Sequence, residues 1–189
     1  VRVVDPIANE TQLAAITQLG TQALRQAVDI ISDPDFIDIN MLAIPGVYSS
    51  KVVDYAINKI QDRADAFYVI DVSGSDVTSV VQEVQGRGFD TNYASVYYPS
   101  IRVNDDVNGV VKTLPASIAA IGVIAFSDRV SYPWFAPAGL NRAGLSRDTI
   151  GFDVLSITDQ LKADERDTLY ENRINPIARF PDVPQGVVW

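Results

Sequence analysis

The stretch AFYVIDV, residues 66–72, consists almost wholly of apolar residues, several of them β-branched or aromatic. A short apolar run that is bounded by polar residues and glycine predicts a strand buried on both faces. Strands of this kind occur mainly in parallel sheets that helices cover on both sides. The segments that flank residues 66–72 should therefore show helical periodicity if the strand lies inside such a sheet.

Helical patterns precede and follow this strand. The helix before the strand is predicted to begin at Ser49 or Ser50. The helix after it spans about 76–85 and ends at Gly86 or Gly88. Glycine readily adopts the left-handed conformation that closes many helices. The apolar face of the preceding helix is formed by Val53, Ile57, Ile60 and Ala64. Helix, strand and helix therefore alternate at the centre of the chain.

Two outer strands and a long helix extend the alternation. IDINMLAI at 37–44 and YASVYY at 93–98 are short and rich in residues that favour strands. Apolar residues recur at helical spacing over about 10–31, after the N-cap residue Asn9, and VRVVDP, which starts at Val1, indicates one more strand. The order β-α-β-α-β-α-β predicts an α/β fold with a mostly parallel sheet and helices on both faces.

The pattern then changes to a hairpin and an apolar helix. SIRV at 100–103 and VVKT at 110–113 flank NDDVNG, which predicts a projecting β-hairpin. NDDVNG also resembles the first half of an EF-hand calcium loop. The twelfth position is Pro115 instead of a bidentate glutamate, so the turn interpretation is favoured. Pro115 opens PASIAAIGVIAFSDR, a helix that is hydrophobic on most sides and is therefore predicted to be buried.

The loop VSYPWFAPAGLNRAG, residues 130–144, combines an aromatic pair with two stiffening prolines. Trp134 and Phe135 offer a rigid apolar anchor, and Arg142 follows in the same loop. These three residues are candidate subunit-contact residues. The alternative, which we favour from the sequence, is a loop folded over the core of its own domain.

A charged helix is predicted at about 158–173, and a last strand, IARF, at 177–180. The helix carries Asp164, Glu165 and Arg166 among further charges of both signs. Such a helix is typical of a solvated face with pairs of opposite charge one turn apart. A subunit contact through these three residues is equally compatible with the sequence.

Composition excludes several classes of function. The 189 residues include no histidine and no cysteine, so zinc sites built on these ligands, thiol chemistry and histidine-dependent nucleophiles are excluded within the chain. The net charge of −9 argues against a nucleic-acid partner. The apolar runs are shorter than the about 20 residues that span a bilayer, so no membrane span is predicted. We expect no cofactor and no metal.

Asp71 and Ser73 follow the central strand, at the strand end where open α/β sheets bind ligands. This segment resembles the aspartate segment of subtilisin-type proteases, and Ser117 lies in a segment that resembles their serine segment. Because the chain has no histidine, we interpret both as architecture and expect no catalytic residue. A Ser–Lys dyad with Lys112 is disfavoured by the position of this lysine in the hairpin. A small-molecule site at Asp71 and Ser73, in a hydrolase-like or binding domain, is the alternative.

The second half of the chain resembles contractile bacteriophage tail sheath proteins. The resemblance covers about residues 92–189 and is most specific over 93–144. The matching motifs are Tyr97-Tyr98-Pro99, Asp105–Gly109, Pro115–Ala125, Asp128-Arg129, Trp134–Gly139 and ENRINPIARFPDVPQGVVW at 171–189. One motif departs from the family, since Ala120-Ile121-Gly122 stands where the family usually has Ala-Gly.

The resemblance implies a subtilisin-like α/β core without protease activity, in a structural subunit. Such subunits assemble into a helical tube around a tail tube and contract to drive that tube through the host envelope. The expected partners are neighbouring copies of the chain and the tail tube protein, and the expected location is the virion, after assembly in the host cytoplasm. Residues 1–189 are then one core domain, truncated at both ends. We expect a core without the family's terminal arms to stay monomeric and a longer chain to assemble.

Overall fold

A computed structural model of the protein describes residues 10–105, 108–132, 134–181 and 183–189. The strand predicted near Val1 and the N-cap residue Asn9 lie outside these ranges. Within them the helices are α1 Glu10–Ile31, α2 Ser50–Arg63, α3 Val77–Arg87, α4 Ala116–Val130, α5 Arg147–Ile150 and α6 Ala163–Glu171. The strands are β1 Met41–Ala43, β2 Phe67–Ile70, β3 Ala94–Tyr98, β4 Ile101–Asp105, β5 Val110–Leu114, β6 Val154–Ile157, β7 Ile174–Phe180 and β8 Val183–Val188.

A mixed five-stranded sheet forms the centre of the fold, in the order β1-β2-β3-β7-β8. Its first four strands run parallel, and β8 pairs antiparallel with β7. A second sheet, in the order β5-β4-β6, is antiparallel throughout. The predicted α/β class is confirmed. The central sheet is mixed, because the chain after β7 turns back and pairs with it antiparallel as β8.

Both faces of the central sheet are covered, because successive residues of a strand point to opposite faces. Tyr68 and Ile70 of β2 pack with side chains of α2, α3 and α6 on what we call the first face. Val69 packs with side chains of α4, β4 and β6 on the second face. In the described ranges, no helix combines the length and the hydropathy that crossing a bilayer requires.

The predicted hairpin is confirmed, with β4 and β5 paired antiparallel along their whole lengths. Residues 106–107 of its turn lie outside the described ranges. Asp105 Oδ1 accepts a hydrogen bond from Asn108 N at 3.2 Å, and the same carboxylate forms an ion pair with Lys112. The Asp105 carboxylate therefore takes part in the turn, as the favoured interpretation requires. Among the described residues, no group of acidic side chains is placed to hold a metal ion.

Two elements begin or end at residues other than those predicted from the sequence. The strand predicted at 37–44 is limited to the three residues of β1, which pair only with the short β2. The helix predicted at about 76–85 starts after Asp76, whose carboxylate accepts a hydrogen bond from Ser79 N at 3.0 Å. Gly88, with φ of +59°, closes this helix as expected.

The apolar helix α4, which was predicted to be buried, is buried along the side that faces the sheet. Ala119, Ala120 and Val123 are fully buried against the second face of the sheet. Gly122 lies against α5, where an added Cβ would approach Ile150 Cγ2 to 2.8 Å. The last three residues, Asp128, Arg129 and Val130, are exposed. The small residues of α4 therefore allow close packing on both the sheet and α5.

Candidate subunit-contact surfaces

Asp71, directly after β2, connects three segments of the chain. Its Oδ1 accepts a hydrogen bond from Ser117 N at 2.9 Å, and its Oδ2 accepts one from Ser117 Oγ at 2.7 Å. Gly46 N donates a third hydrogen bond to Oδ2 at 3.1 Å. Both Asp71 and Ser117 are buried. The carboxylate therefore caps the first turn of α4, where unpaired N–H groups and the helix dipole favour a negative charge.

This arrangement does not support catalysis by the two protease-like segments. Ser117 is fully buried, and its hydroxyl donates a hydrogen bond directly to Asp71, with no base between the two residues. Lys112 is engaged in the hairpin ion pair. Ser73 N and Ser73 Oγ both donate to Glu83 Oε2 at 2.8 Å, so Asp71 and Ser73 have different partners. The structure therefore does not favour a small-molecule site shared by Asp71 and Ser73.

The two tyrosines of the sheath-like motif are core residues. Tyr97 packs on the second face and Tyr98 on the first. Tyr98 Oη donates a hydrogen bond to Asp159 Oδ2 at 2.9 Å, and burial together with this bond raises the pKa of the Tyr98 phenol. Burial, reinforced by the Asp71 carboxylate, also raises the pKa of Tyr68. These phenols therefore remain neutral in ordinary buffers and serve packing.

Three exposed rings, those of Tyr132, Trp134 and Phe135, and the half-buried Arg142 form a group that we call the aromatic patch. The rings of Tyr132 and Trp134 stack with centroids 4.7 Å apart and planes within 5°. The guanidinium of Arg142 lies 4.6 Å from the centroid of Phe135. Trp134, Tyr132 and Phe135 are 76%, 61% and 42% exposed. The favoured interpretation, a loop folded over the core of its own domain, therefore holds for Ala143 but not for these three rings.

The chain that follows the patch is fixed to the edge of the central sheet. Gly139 N donates to Val188 O at 2.9 Å, and Leu145 N donates to Gly186 O at the same distance. Gly139 has φ of +82°, a conformation that glycine adopts without strain. Ala143 and Leu145 are fully buried on the second face. The loop is thus anchored at one end while its rings project into solvent.

The charged helix α6 carries the other candidate contact residues. Glu165 Oε2 accepts a hydrogen bond from Lys162 N at 2.7 Å, which explains why the helix begins at Ala163 and not at 158. The guanidinium of Arg166 lies 5.1 Å from the ring of Phe180. Asp164 is exposed and forms no ion pair with another described residue. Two of the three residues predicted here therefore have contacts within the chain.

The structure does not bring the two candidate surfaces together. Helix α6 packs on the first face through Leu169, whereas the aromatic patch follows α4 on the second face. Tyr132 belongs to the patch but is missing from the candidates read from the sequence. Its position two residues before Trp134 is the signal that could have identified it, since these two rings stack in the structure.

Two tail sheath proteins are similar to the chain in sequence, although no protein-family model matches it. The chain is 24% identical over 181 residues to the tail sheath protein of Vibrio phage KVP40, an alignment that covers 81% of this chain and 26% of that protein. It is 26% identical over 188 residues to the tail sheath protein of Enterobacteria phage T4, covering 87% of this chain and 28% of that protein. The chain thus spans only about a quarter of the length of these relatives.

Solved structures of a contractile apparatus share the fold. The helical sheath of the anti-feeding prophage in its contracted state matches with a TM-score of 0.61 at 23% identity, over 88% of this chain and 41% of that chain. The baseplate of the same particle matches with a TM-score of 0.57 at 20% identity, over 100% of this chain and 50% of that chain. Together with the phage proteins, these matches confirm the resemblance to contractile tail sheath proteins.

Proposed function

We propose that the chain is the core region of a structural subunit of a contractile tail sheath. The observation that carries this proposal is the similarity to two phage tail sheath proteins over more than four fifths of the chain. Copies of the subunit would form a helical tube around a tail tube and contract to drive that tube through the host envelope. The partners are then other copies and the tail tube protein, in a virion tail assembled in the host cytoplasm.

The described geometry supports a structural rather than an enzymatic role. The Asp71–Ser117 pair is buried and joins β2 to α4, so the side chains that resemble a protease segment hold the fold together. We infer that the frame is a subtilisin-like one in which this pair has kept its place without a histidine. Residues 1–189 would then be one core domain of a longer subunit, as the length of the relatives suggests.

The aromatic patch supports an interaction role for this domain. Exposed rings that are stacked on one another present apolar area at a small cost in side-chain entropy. We assign subunit contact to Trp134, Phe135 and Arg142 of the patch and to Asp164, Glu165 and Arg166 of α6. Glu165 and Arg166 would act mainly by holding the start of α6 in place, because both have contacts within the chain.

Electron microscopy of the full-length protein tests this function. The purified protein is examined by negative stain and by sedimentation over a range of salt and protein concentrations. We expect helical tubes or stacked rings. Isolated globular particles under all of these conditions would overturn the proposal.

A further inference from the structure

The aromatic patch lies at the end of the central sheet where its parallel strands begin, which we call the amino rim. Helix α4 starts beside Asp71, at the opposite or carboxyl rim, and packs along β1, β2 and β3. Its 15 residues are about 22 Å long, whereas the four residues of β2 span only about 13 Å. The last turn of α4, and with it the patch, therefore reaches the amino rim.

Positive charge accompanies the rings at this rim. The guanidinium of Arg142 lies over Phe135, and that of Arg129 lies 5.4 Å from the centroid of Phe126. Neither arginine forms an ion pair with another described residue. A guanidinium that lies against a ring still has terminal N–H groups that can donate to a carboxylate. Asp128 adjoins Arg129 in sequence but points about 100° away around the helix.

The carboxyl rim carries unpaired negative charge. Helix α6 directly precedes β7, so it runs from the carboxyl rim to the amino rim, and Arg166 near its start contacts Phe180 at the end of β7. Asp164 and Asp167 belong to these first turns, are exposed and lie three residues apart, which places them on one side of the helix. Neither forms an ion pair with another residue of the described part of the chain.

We propose that the aromatic patch and Arg129 bind the first turns of α6, at Asp164 and Asp167, of a second copy of this chain. The inference rests on the proposed function, and it names the two surfaces, the patch and the start of α6, that would form one contact between neighbouring copies. Complementary charges at opposite rims do not meet within one copy, but they meet when copies stack head to tail. Such a heterologous contact builds an open helix of subunits when its rotation does not close the subunits into a ring.

The alternative symmetric contact is disfavoured by charge. A two-fold arrangement that joins patch to patch would place Arg129 and Arg142 of one copy near the same arginines of the other copy. In the head-to-tail contact, the rings supply the buried apolar area and the arginine–aspartate pairs select the partner and its register. Trp134 is the expected centre of the contact, because it is the most exposed ring of the patch.

Charge reversal and charge exchange in the full-length protein test this pairing. One variant carries Arg129→Glu and Arg142→Glu, a second carries Asp164→Lys and Asp167→Lys, and a third carries all four substitutions. The critical concentration for assembly is measured by sedimentation, and the polymers are examined by electron microscopy. A matched control, Lys51→Glu with Arg102→Glu, changes the net charge as the first variant does but at exposed positions outside the patch.

We expect each double variant to raise the critical concentration at least about tenfold, because attraction becomes repulsion at every contact. The fourfold variant restores opposite charges and should assemble within about threefold of the wild type, as should an equimolar mixture of the two double variants. Circular dichroism establishes that all variants are folded.

Two results would overturn the inference while the proposed function stands. In the first, the wild type assembles and the double variants assemble equally well. In the second, both double variants fail and neither the fourfold variant nor the mixture recovers. A wild type that never assembles would instead remove the proposed function itself.

Discussion

The carboxylate of Asp71 accepts hydrogen bonds from both the backbone N and the hydroxyl of Ser117, at 2.9 and 2.7 Å. The two residues are 46 positions apart and lie at the end of β2 and in the first turn of α4. An aspartate and a serine at these places resemble segments of a protease, but here they bond to each other. The pair therefore has a structural role: it connects the central strand β2 to the helix α4 on the second face of the sheet.

Asp71→Ala should lower the free energy of unfolding by about 2–4 kcal/mol, because three donors, two of them on Ser117, lose a buried charged acceptor. Urea unfolding followed by circular dichroism measures the change. Ser117→Ala is the matched control and should cost only about 1–2 kcal/mol, since the carboxylate keeps both backbone donors. An Asp71→Ala effect no larger than that of Ser117→Ala would contradict this role.

The protein should not hydrolyse peptide or ester substrates. Ser117 is buried and donates to a carboxylate, and the chain has no histidine to act as a base. The assay compares turnover of chromogenic esters and of casein by the wild type and by Ser117→Ala. Turnover above the buffer rate that Ser117→Ala abolishes would refute the prediction. Activity that survives this substitution would come from a contaminant or from another site.

The regular elements of the first half could be predicted because local pattern and tertiary packing agree there. The apolar face of α2, with Val53, Ile57 and Ile60, is the face that the sheet buries. Strand β8 was not predicted, since Pro184 and Gly186 disfavour strands. Its pairing with β7 and with residues 143–145 supplies the stability that propensity does not. Non-local pairing of this kind leaves no trace in a local pattern.

The candidate contact residues were predictable as residue types, but their positions in the fold were not. The aromatic–proline loop is visible in the sequence, but its exposure follows from the anchoring of Gly139 and Leu145 along β8. The charge pattern of α6 likewise does not show that the guanidinium of Arg166 lies against the ring of Phe180. Nor does it show that Asp164 forms no ion pair with another described residue. Both facts depend on where α4 and α6 end relative to the sheet.

Gly122→Ala should destabilise the fold by about 1–3 kcal/mol, because the new Cβ would stand 2.8 Å from Ile150 Cγ2 and would push α5 away from α4. Gly86→Ala is the matched control, since Gly86 lies within α3 and an added Cβ meets nothing within 4 Å. That control should be neutral or should stabilise by up to about 1 kcal/mol. Equal effects of the two substitutions in thermal unfolding would contradict the close α4–α5 packing.

The free energy of unfolding should fall as the pH rises above about 10. Burial raises the pKa of Tyr68 and Tyr98 in the folded state above the ordinary value of 10.0, with smaller contributions from Asp71 and Asp159. The neutral phenol is thus favoured by folding, so the stabilisation is complete below the unfolded pKa and is lost as the pH rises through the folded pKa.

Urea unfolding at several pH values from about 9 to about 11 measures this dependence. A variant with Tyr68→Phe and Tyr98→Phe should lose stability with pH less steeply than the wild type, because the two buried phenols no longer contribute. Tyr170→Phe, which replaces an exposed tyrosine, is the control and should keep the slope of the wild type. An unchanged slope in the double variant would show that these tyrosines do not cause the alkaline loss.

Trp134→Ala should weaken assembly of the full-length protein without lowering the stability of the domain. Trp134 is 76% exposed and, among the described rings, stacks on the exposed Tyr132, so its removal should change the free energy of unfolding by no more than about 0.5 kcal/mol. A ring at the centre of a contact commonly contributes about 2 kcal/mol or more, which corresponds to a rise of the critical concentration of more than about tenfold.

Phe36→Ala is the control for this experiment, because Phe36 is 84% exposed and lies between α1 and β1, outside both the patch and α6. Sedimentation at a series of protein concentrations gives the critical concentration, and urea unfolding gives the stability of each variant. A Trp134→Ala protein that assembles like the wild type would exclude the aromatic patch as a contact. If that variant unfolded at a clearly lower urea concentration, the ring would contribute to the stability of the domain itself. A residue used only between subunits leaves the stability of one subunit unchanged.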